Sequence, residues 1–368
     1  MVAAGIAGAL AAAAVLGGVA LAETGSTTLS GLGSTALVNP STPATPVIPG
    51  DMNPGGTGRS GTSASVALAT ANQQKGVVTI VSVLKYQNAE SAGTGMVLTA
   101  NGEILTNNHV VNGATSITVT VASNGQSYRA DVVGTDPSDD VAVLQLRNAS
   151  NLTTAKIGDS TGVSVGDSIV GVGNAGGTGT LRASTGTVTA VNRSITATDE
   201  SGQAGERLTG LIQVNAEIIS GDSGGPLYDS SGNIIGMDTA ASANPTVQST
   251  AYAIPIDSAV KIAAQIDSGT ETSKIHIGLP AFLGVGVGSG TTQGAAVTSL
   301  LAGGPAAAAG ITDGSVITAV GGKTVTSADS LKSVLSGFNP GKRVSVTWTG
   351  TDGASHTATV TLATGPAD

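Results

Sequence analysis

The heptapeptide GDSGGPL, residues 221–227, contains a serine that could act as a nucleophile. Ser223 is surrounded by Gly221, Asp222 and Gly224, which offer almost no apolar area to a core. A serine hydroxyl attacks a carbonyl efficiently only when a neighbouring base removes its proton. The glycines leave room for the backbone N–H groups of Gly221 and Ser223 to stabilise a developing oxyanion. The chemistry that this segment could perform is therefore acyl transfer.

A histidine and a carboxylate that could activate Ser223 occur earlier in the chain. His109, in LTNNHVV, is the only histidine before residue 270. Asp139 and Asp140, in DPSDDVAVLQL, directly precede an apolar run, and either carboxylate could fix the histidine tautomer. Each residue taken singly could be an ordinary turn or loop residue. Their occurrence in the order His, Asp, Ser is that of chymotrypsin-like hydrolases, and it favours a catalytic triad.

The composition excludes several other chemistries. The 368 residues include no cysteine, which rules out disulfides, thiolate metal sites and a cysteine nucleophile. His109, His276 and His356 are far apart in sequence, so we expect neither a metal nor another cofactor. Acidic residues outnumber basic residues by 24 to 15, and Lys342-Arg343 is the only adjacent basic pair. Nucleic acid is therefore not an expected partner.

The N-terminal region predicts export. Residues 1–22 carry no charge and end in Ala20-Leu21-Ala22, which is typical of a signal segment. The first basic residue is Arg59, so the usual positive start is missing, and an uncleaved membrane anchor is the alternative. The glycine spacing does not suit a helix of a cytosolic protein. Residues 23–65, rich in Ser, Thr, Gly and Pro, predict a disordered linker, so the protein would be secreted or held at the membrane through residues 2–22.

The rest of the chain predicts a mainly β protein with two domains. Over residues 66–269, short runs rich in Val, Ile and Thr alternate with turn residues, as in antiparallel barrels. One helix is predicted over 256–269, where Asp257 could cap the start and Gly269 could end it. Residues 278–365 predict a smaller unit of strands with two short helices, which is the size of a binding module.

Several motifs resemble one protease family. TNNHVV, DDVAVLQL and GDSGGPL followed by GNIIGMDTAAS are similar to the HtrA (DegP-like) branch of trypsin-fold serine proteases. TAVGGKTVTSADSL is similar to the PDZ domain of that branch, and segments such as AFLG and VSVTW most resemble the PepA-type exported proteases of mycobacteria. The resemblance implies a chymotrypsin-like double β-barrel of two six-stranded barrels over 66–269 and a small α+β PDZ domain over 278–365.

The resemblance also implies roles for individual residues. It selects Asp140 rather than Asp139 for the triad with His109 and Ser223, and it implies an oxyanion hole formed by the N–H groups of Gly221 and Ser223. The Thr239 hydroxyl would support the triad carboxylate. The residues implied for the specificity pocket are Glu217, Ile218, Thr239, Ala240 and Ala241.

Two departures from the family pattern affect that pocket. Asn215-Ala216-Glu217 replaces the usual Asp-Ala-Ala, and Ile219-Ser220 replaces Asn-Pro or Gln-Pro. If Glu217 lies at the pocket floor, its carboxylate would favour a Lys or Arg of the substrate. If the loop is rearranged, Glu217 would face solvent and Ile218 or Ile219 would shape an apolar pocket.

In the second domain the resemblance implies a site for peptide C-termini. The loop AFLGV would hold a carboxylate with the N–H groups of Leu283, Gly284 and Val285, while the peptide adds a strand to the sheet edge. Leu331 and Leu335 would line the groove beside Phe282. Leu335 and Phe282 could equally belong to the core of the domain.

The expected function is an exported endopeptidase that cleaves unfolded or damaged polypeptides through an acyl-enzyme. Its partners would be polypeptide substrates and peptide C-termini. Members of the family often form trimers, so the resemblance also suggests a homotrimer. The alternative is a catalytically inert chaperone or peptide-binding protein, whereas an esterase would not need a PDZ module. Asp222 should turn inward and need a partner, for which Arg182 in GTLRASTGTV is a candidate.

Overall fold

The computed structural model describes residues 65–198, 204–242, 250–288 and 293–367. The predicted signal or anchor segment, 1–22, lies outside the described residues, as does the predicted linker except for Ser65. None of the helices in the described ranges combines the length and the apolar character needed to cross a membrane.

Six antiparallel strands close a first barrel. The short strand β1 (Val66–Leu68) precedes them, and the helix α1 (Asn108–Val111) lies between the third and the fourth. The strands pair in the order β2-β3-β4-β7-β6-β5, and β5 pairs back with β2. Strand β5 alternates half-buried and buried residues, because its Ile and Val side chains fill the barrel. The six strands are β2 (Val77–Leu84), β3 (Ala89–Val97), β4 (Glu103–Thr106), β5 (Ser116–Val121), β6 (Ser127–Asp136) and β7 (Val141–Leu146).

A second barrel of six antiparallel strands follows. These strands pair in the order β8-β9-β10-β13-β12-β11, and β11 pairs with β8 to close the ring, while β1 extends the sheet along β9. Buried aliphatic side chains such as Val188, Ile212 and Leu227 fill its interior. The double barrel agrees with the predicted fold class. The strands are β8 (Ser168–Gly173), β9 (Arg182–Thr198), β10 (Ala204–Val214), β11 (Pro226–Asp229), β12 (Ile234–Ser242) and β13 (Thr250–Pro255).

The helix α2 (Ile256–Asp267) packs the two barrels together. Its buried face, which includes Ile256, Ala263 and Ile266, joins a cluster with residues of both barrels. The predicted helix is confirmed, but the predicted cap is wrong. The Asp257 carboxylate accepts hydrogen bonds from the N–H (2.9 Å) and the hydroxyl (2.6 Å) of Ser160 instead of closing its own helix.

The C-terminal region forms a separate sheet with its own core. Strand β14 (His276–Ile277) still pairs with β6 of the first barrel. Beyond it, β15 (Ala281–Phe282) pairs with the last strand, and the other strands form a sheet in the order β16-β17-β18-β20-β21, with β19 on β18. The remaining elements are β16 (Val285–Gly288), β17 (Ala295–Leu300), α3 (Pro305–Ala308), β18 (Val316–Val320), β19 (Lys323–Thr324), α4 (Ala328–Ser336), β20 (Arg343–Thr349), β21 (Ser355–Thr361) and β22 (Ala363–Thr364).

The C-terminal domain contacts the first barrel through an aromatic stack and through backbone hydrogen bonds. The ring of Phe282 stacks on that of Tyr86, in the turn between β2 and β3, with centroids 5.5 Å apart. The end of the chain also bonds to the barrel, since Gly113 N–H donates to the Ala367 carbonyl (2.7 Å) and Ala367 N–H donates to the Ala114 carbonyl (3.0 Å). The two-stranded sheet of β15 and β22, together with the residues that follow it, therefore lies against the first barrel.

Candidate active site

Ser223 lies in a tight turn between β10 and β11 that requires glycine on both sides. Gly221 has φ +96° and Gly224 has φ +83°, which favour glycine because other side chains rarely adopt them. A Cβ atom on Gly221 would lie 2.3 Å from the Asn174 carbonyl oxygen, and one on Gly224 would lie 2.1 Å from that of Thr94. The low apolar content of GDSGGP is thus explained by backbone geometry and close packing.

His109 lies on the short helix α1 and contacts Asp140. The His109 Nδ1 atom lies 2.9 Å from Asp140 Oδ2 and 3.0 Å from Oδ1. The His109 backbone N–H also donates to Asp140 Oδ1, at 3.0 Å. The imidazole is half exposed, with 49% of the side chain accessible, whereas the carboxylate is buried. This carboxylate can hold a proton on Nδ1 and leave Nε2 to act as a base.

Asp140 is held in an uncommon backbone conformation at the end of a 3₁₀ turn, Pro137–Asp139. Its φ is +53°, and the Asn107 side-chain amide donates to its carbonyl at 2.9 Å. The Asp139 carboxylate points away from the histidine and pairs with Lys274 at 2.8 Å. The structure therefore brings Asp140, and not Asp139, to His109.

Strand β12 links the acid to the serine through Thr239. The Thr239 hydroxyl donates to Asp140 Oδ2 at 2.5 Å. The Thr239 carbonyl accepts a hydrogen bond from Ser223 Oγ at 3.2 Å. Thr239 therefore connects Ser223 of the second barrel to Asp140 of the first, and Asp140 in turn contacts His109.

The backbone around Ser223 presents two free donors. Within the described residues, the N–H groups of Gly221 and Ser223 donate no hydrogen bond. The Ser220 carbonyl accepts from Gly176 N–H at 2.8 Å. Because C=O and N–H point in opposite directions in a trans peptide, this bond directs the Gly221 N–H away from Gly176. Two such N–H groups are what an oxyanion hole requires.

Asp222 and Asp238 are buried carboxyls beside the nucleophile turn. Burial raises the pKa of Asp222 to about 6, against a smaller lowering by the Ile219 N–H that donates to Oδ2 at 2.9 Å. Burial, with the charge of Asp222, raises the pKa of Asp238 well above its usual value. Among the residues that the structure describes, both oxygens of Asp238 and Oδ1 of Asp222 have no hydrogen-bond partner.

The predicted pairing of Asp222 with Arg182 is wrong. Arg182 lines the same cavity as Asp222, but no ion pair joins them in the part of the chain that the structure describes. Glycines of β8 make room for the carboxyls instead. A Cβ atom on Gly173 would lie 2.6 Å from Asp222 Oδ1, and one on Gly171 would lie 3.1 Å from Asp238 Oδ2.

The residues predicted for the specificity pocket do not share one surface. Glu217 lines a cavity of about 450 Å³ with Ile219, Asp222 and Arg182, and the residues lining that cavity include neither Ser223 nor His109. Ile218 is buried in the core of the second barrel, at 5% exposure, whereas Ile219 is 44% exposed. Ala240 and Ala241 continue β12 after Thr239, and their side chains lie outside the described part.

The predicted carboxylate loop lies at the edge of the C-terminal sheet. Gly284 has φ +78°, and among the described residues the N–H groups of Leu283 and Gly284 donate no hydrogen bond. Val285 begins β16, which is an edge strand. Leu331 is buried in the domain core, at 2% exposure. Leu335 and Phe282 are part-buried, and Leu335 packs against that core.

No set of three or more His, Asp or Glu side chains gathers as a metal site in the residues that the structure covers. The residues that sequence patterns did not single out are Thr94, Asn174 and Gly176, which contact the nucleophile turn from other elements. The closely spaced glycines in SIVGVG and NAGGTG are the only sequence signal that these segments carry.

Comparisons with known proteins identify the same two domains. The family model described as trypsin-like peptidase domain matches residues 93–237, and the PDZ domain model matches residues 281–362. Serine protease PepD of Mycobacterium tuberculosis is 33% identical over 315 residues, which is 81% of this chain and 66% of that protein. This chain belongs to the HtrA (DegP-like) family of trypsin-fold serine proteases with a PDZ domain.

Other members of the HtrA family show similar identity. The periplasmic pH-dependent serine endoprotease DegQ of Escherichia coli is 35% identical, over 70% of this chain and 56% of that protein. The periplasmic serine endoprotease DegP of the same organism is 33% identical, over 71% of this chain and 55% of that protein. The chain therefore spans less than two thirds of the length of these curated relatives. A solved structure, HtrA-type protease AlgW with a tripeptide, matches 80% of this chain and 96% of its own, at 28% identity and a TM-score of 0.47.

Proposed function

We propose that this chain is an exported serine endopeptidase that cleaves unfolded or damaged polypeptides. The observation that carries the proposal is the contact set around Asp140. Its carboxylate accepts from the Thr239 hydroxyl and lies within 3.0 Å of His109 Nδ1, and the 3.2 Å distance from Ser223 Oγ to the Thr239 carbonyl places the serine beside this pair. This arrangement supports the roles of nucleophile for Ser223, general base for His109 and orienting acid for Asp140.

The reaction then follows the chemistry of acyl transfer. Ser223 Oγ attacks the scissile carbonyl carbon and passes its proton to His109 Nε2, while Asp140 stabilises the imidazolium. The carbonyl oxygen becomes an oxyanion that faces the N–H groups of Gly221 and Ser223. The C–N bond breaks as His109 protonates the leaving amine, which leaves an acyl-Ser223 ester. Water, deprotonated by His109, hydrolyses that ester and restores the serine.

The PDZ domain supports a polypeptide rather than a small ester as the substrate. Leu283 and Gly284 have free N–H groups next to the edge strand β16, and this is the arrangement that captures a peptide C-terminus by adding a strand. We propose that this domain binds C-termini of substrates and holds long chains near Ser223. Assembly into a homotrimer would place several such sites on one particle.

Export is supported by the uncharged residues 1–22 and by the relatives DegQ and DegP, which are named periplasmic proteins. We propose that the chain works outside the cytoplasm, secreted or held in the cell envelope by that segment.

The position of Glu217 argues against the acidic specificity pocket that the sequence suggested as one alternative. Glu217 is exposed and lines a cavity with Arg182 and Asp222, which supports a carboxylate that faces solvent rather than a cationic substrate residue. We expect small or apolar residues before the scissile bond. Profiling peptides that differ only at that residue, with wild type and Glu217→Ala, tests this. A preference for Lys or Arg that is lost in Glu217→Ala would restore the acidic pocket.

A second candidate, an inert chaperone or peptide-binding protein, is favoured by one observation. The Ser223 hydroxyl donates to the Thr239 carbonyl, so its proton is directed at the backbone. A fluorophosphonate probe separates the two functions, since it labels only an activated serine. Ser230 is an exposed serine after β11, so Ser230→Ala is the control variant. We expect the probe to label wild type and Ser230→Ala but not Ser223→Ala. A folded wild type that neither labels nor cleaves an unfolded protein would establish the inert function.

A further inference from the structure

Thr94 reaches from the first barrel to the nucleophile turn of the second. It lies on β3 and is fully buried. Its hydroxyl donates to the Gly221 carbonyl at 2.8 Å and accepts from the Asn174 N–H at 2.9 Å. Its backbone N–H donates to the Ser223 carbonyl at 2.8 Å, and its carbonyl accepts from the Thr106 hydroxyl at 2.7 Å. The three polar groups of Thr94 therefore make four hydrogen bonds, and three of these bonds join the turn or the segment beside it.

These bonds fix the two peptide groups on either side of the Gly221 Cα atom. The Ser220 carbonyl is bound by the Gly176 N–H, and the Gly221 carbonyl is bound by the Thr94 hydroxyl. A glycine with positive φ has many alternative conformations, so the direction of its N–H depends on such bonds. Because the Ser220 and Gly221 carbonyls are both hydrogen-bonded, the orientation of the Gly221 N–H is fixed.

The same hydroxyl also anchors the segment that holds Ser220. Residues 174–179 begin with the Asn174 N–H bonded to Thr94 Oγ1, and the Asn174 side chain accepts from the Gly179 N–H at 2.7 Å. Gly176, inside this segment, is the donor to the Ser220 carbonyl. Loss of the Thr94 hydroxyl would therefore weaken the constraint on both peptide groups at once.

We propose that Thr94 is a positioning residue for the oxyanion hole, acting through the Gly221 carbonyl and the 174–179 segment to aim the N–H donors at the developing oxyanion. The role rests on the proposed peptidase function. It differs from ordinary core packing because the partners of the hydroxyl are the backbone groups that flank the donors. Its loss should therefore weaken binding of the transition state more than binding of the ground state.

Thr94→Val tests the role, since valine keeps the shape and removes both hydrogen bonds. We expect kcat on a short peptide amide to fall about 10- to 100-fold, somewhat less than the loss of one oxyanion donor, with KM changed less than about twofold. Thr94→Ser should stay within about threefold of wild type. Thr135→Val is the matched control, because Thr135 also has a fully buried hydroxyl, but one that bonds to none of the described residues, and its kcat should not change.

Inhibitor binding separates positioning from general loosening. A peptide aldehyde forms a tetrahedral adduct whose oxygen occupies the oxyanion hole, whereas the matching peptide alcohol has no carbonyl group and forms no such adduct. We expect Thr94→Val to lose aldehyde affinity by about the same factor as kcat and to keep its affinity for the alcohol. Equal losses of both affinities, or a Thr94→Val enzyme as active as wild type, would overturn the proposal.

These experiments also distinguish failure of the Thr94 proposal from failure of the proposed peptidase function. If wild type shows no turnover and no labelling at Ser223, both proposals are rejected. If Thr94→Val does not give the wild-type circular dichroism spectrum, Thr94→Ala takes its place, because it removes the hydroxyl without adding volume. If neither folds while Thr94→Ser does, the fold itself needs the hydroxyl and the positioning role is rejected.

Discussion

As the pH rises, ionisation of the buried Asp222 carboxyl should lower the free energy of unfolding. Burial raises the pKa of Asp222 to about 6 from 3.8, opposed by the Ile219 N–H and assisted by the charge of Glu217. The folded protein therefore binds this proton more tightly than the unfolded chain does. Stability from this group is fully present below about pH 4 and is lost progressively as the pH rises to about 6.

Asp222→Asn removes the ionisation with little change of shape. The asparagine oxygen can still accept from the Ile219 N–H, which now meets Oδ2 at 2.9 Å. The pKa difference of about 2 units corresponds to about 3 kcal/mol at roughly 1.4 kcal/mol per unit. We therefore expect the free energy of unfolding of Asp222→Asn, relative to wild type, to rise by about 3 kcal/mol between pH 4 and pH 7.

Urea denaturation followed by circular dichroism at several pH values measures this difference. The single tryptophan, Trp348, lies in the C-terminal domain and does not report on the nucleophile turn. A Ser223→Ala background prevents self-cleavage of the unfolding protein. Asp313→Asn, an exposed carboxyl of the C-terminal domain, is the control and should parallel wild type. Stability curves of wild type and Asp222→Asn that run parallel from pH 4 to pH 7 would refute the account of a buried, unpaired carboxyl.

Three further changes test other parts of the molecule. Thr239→Val removes the hydroxyl that donates to Asp140, so kcat should fall about 10-fold or more in steady-state assays, while Thr239→Ser restores it; an unchanged kcat would contradict the contact. Burial, with Asp267 beside it, raises the pKa of Glu103 to about 7, so the advantage of Glu103→Gln in melting temperature should grow from pH 4.5 to pH 7. A constant advantage would show that Glu103 does not titrate in this range. Deletion of residues 278–367 should preserve cleavage of short peptides and weaken cleavage of long unfolded chains, and complete loss of short-peptide turnover by a folded remainder would show that the C-terminal domain helps to build the site.

The residues that meet around Ser223 were predictable to different degrees. GDSGGP predicts its turn directly, because Gly221 and Gly224 have the positive φ values that the turn needs. His109 follows by elimination, since no other histidine precedes residue 270. Asp139 and Asp140 cannot be separated by spacing, and only the left-handed conformation of Asp140 directs its carboxylate to the histidine while Asp139 meets Lys274.

The contacts that were not predictable are long-range and involve the backbone. Thr94 is 127 residues from Gly221, and nothing in the sequence around a strand threonine predicts a hydrogen bond to a distant carbonyl. Asp222 misled the prediction because a buried carboxylate usually has a partner. The chain instead packs glycines of β8 against it and leaves its pKa raised, and this solution cannot be inferred from the charges alone.

The nucleophile turn therefore depends on elements outside itself for its shape. Its interior holds the buried Asp222 carboxyl, which has no ion pair with any residue in the described ranges and whose ionisation disfavours the folded turn at neutral pH. Two hydrogen bonds from other elements stabilise the turn against this effect. Thr94 of the first barrel donates to the Gly221 carbonyl, and Gly176 of the 174–179 segment donates to the Ser220 carbonyl. A turn stabilised in this way should keep its active geometry only while both barrels and that segment are packed together. Catalytic competence is consequently a property of the interface between the barrels, and weakening Thr94 should raise the sensitivity of activity to pH above 6, where Asp222 is ionised.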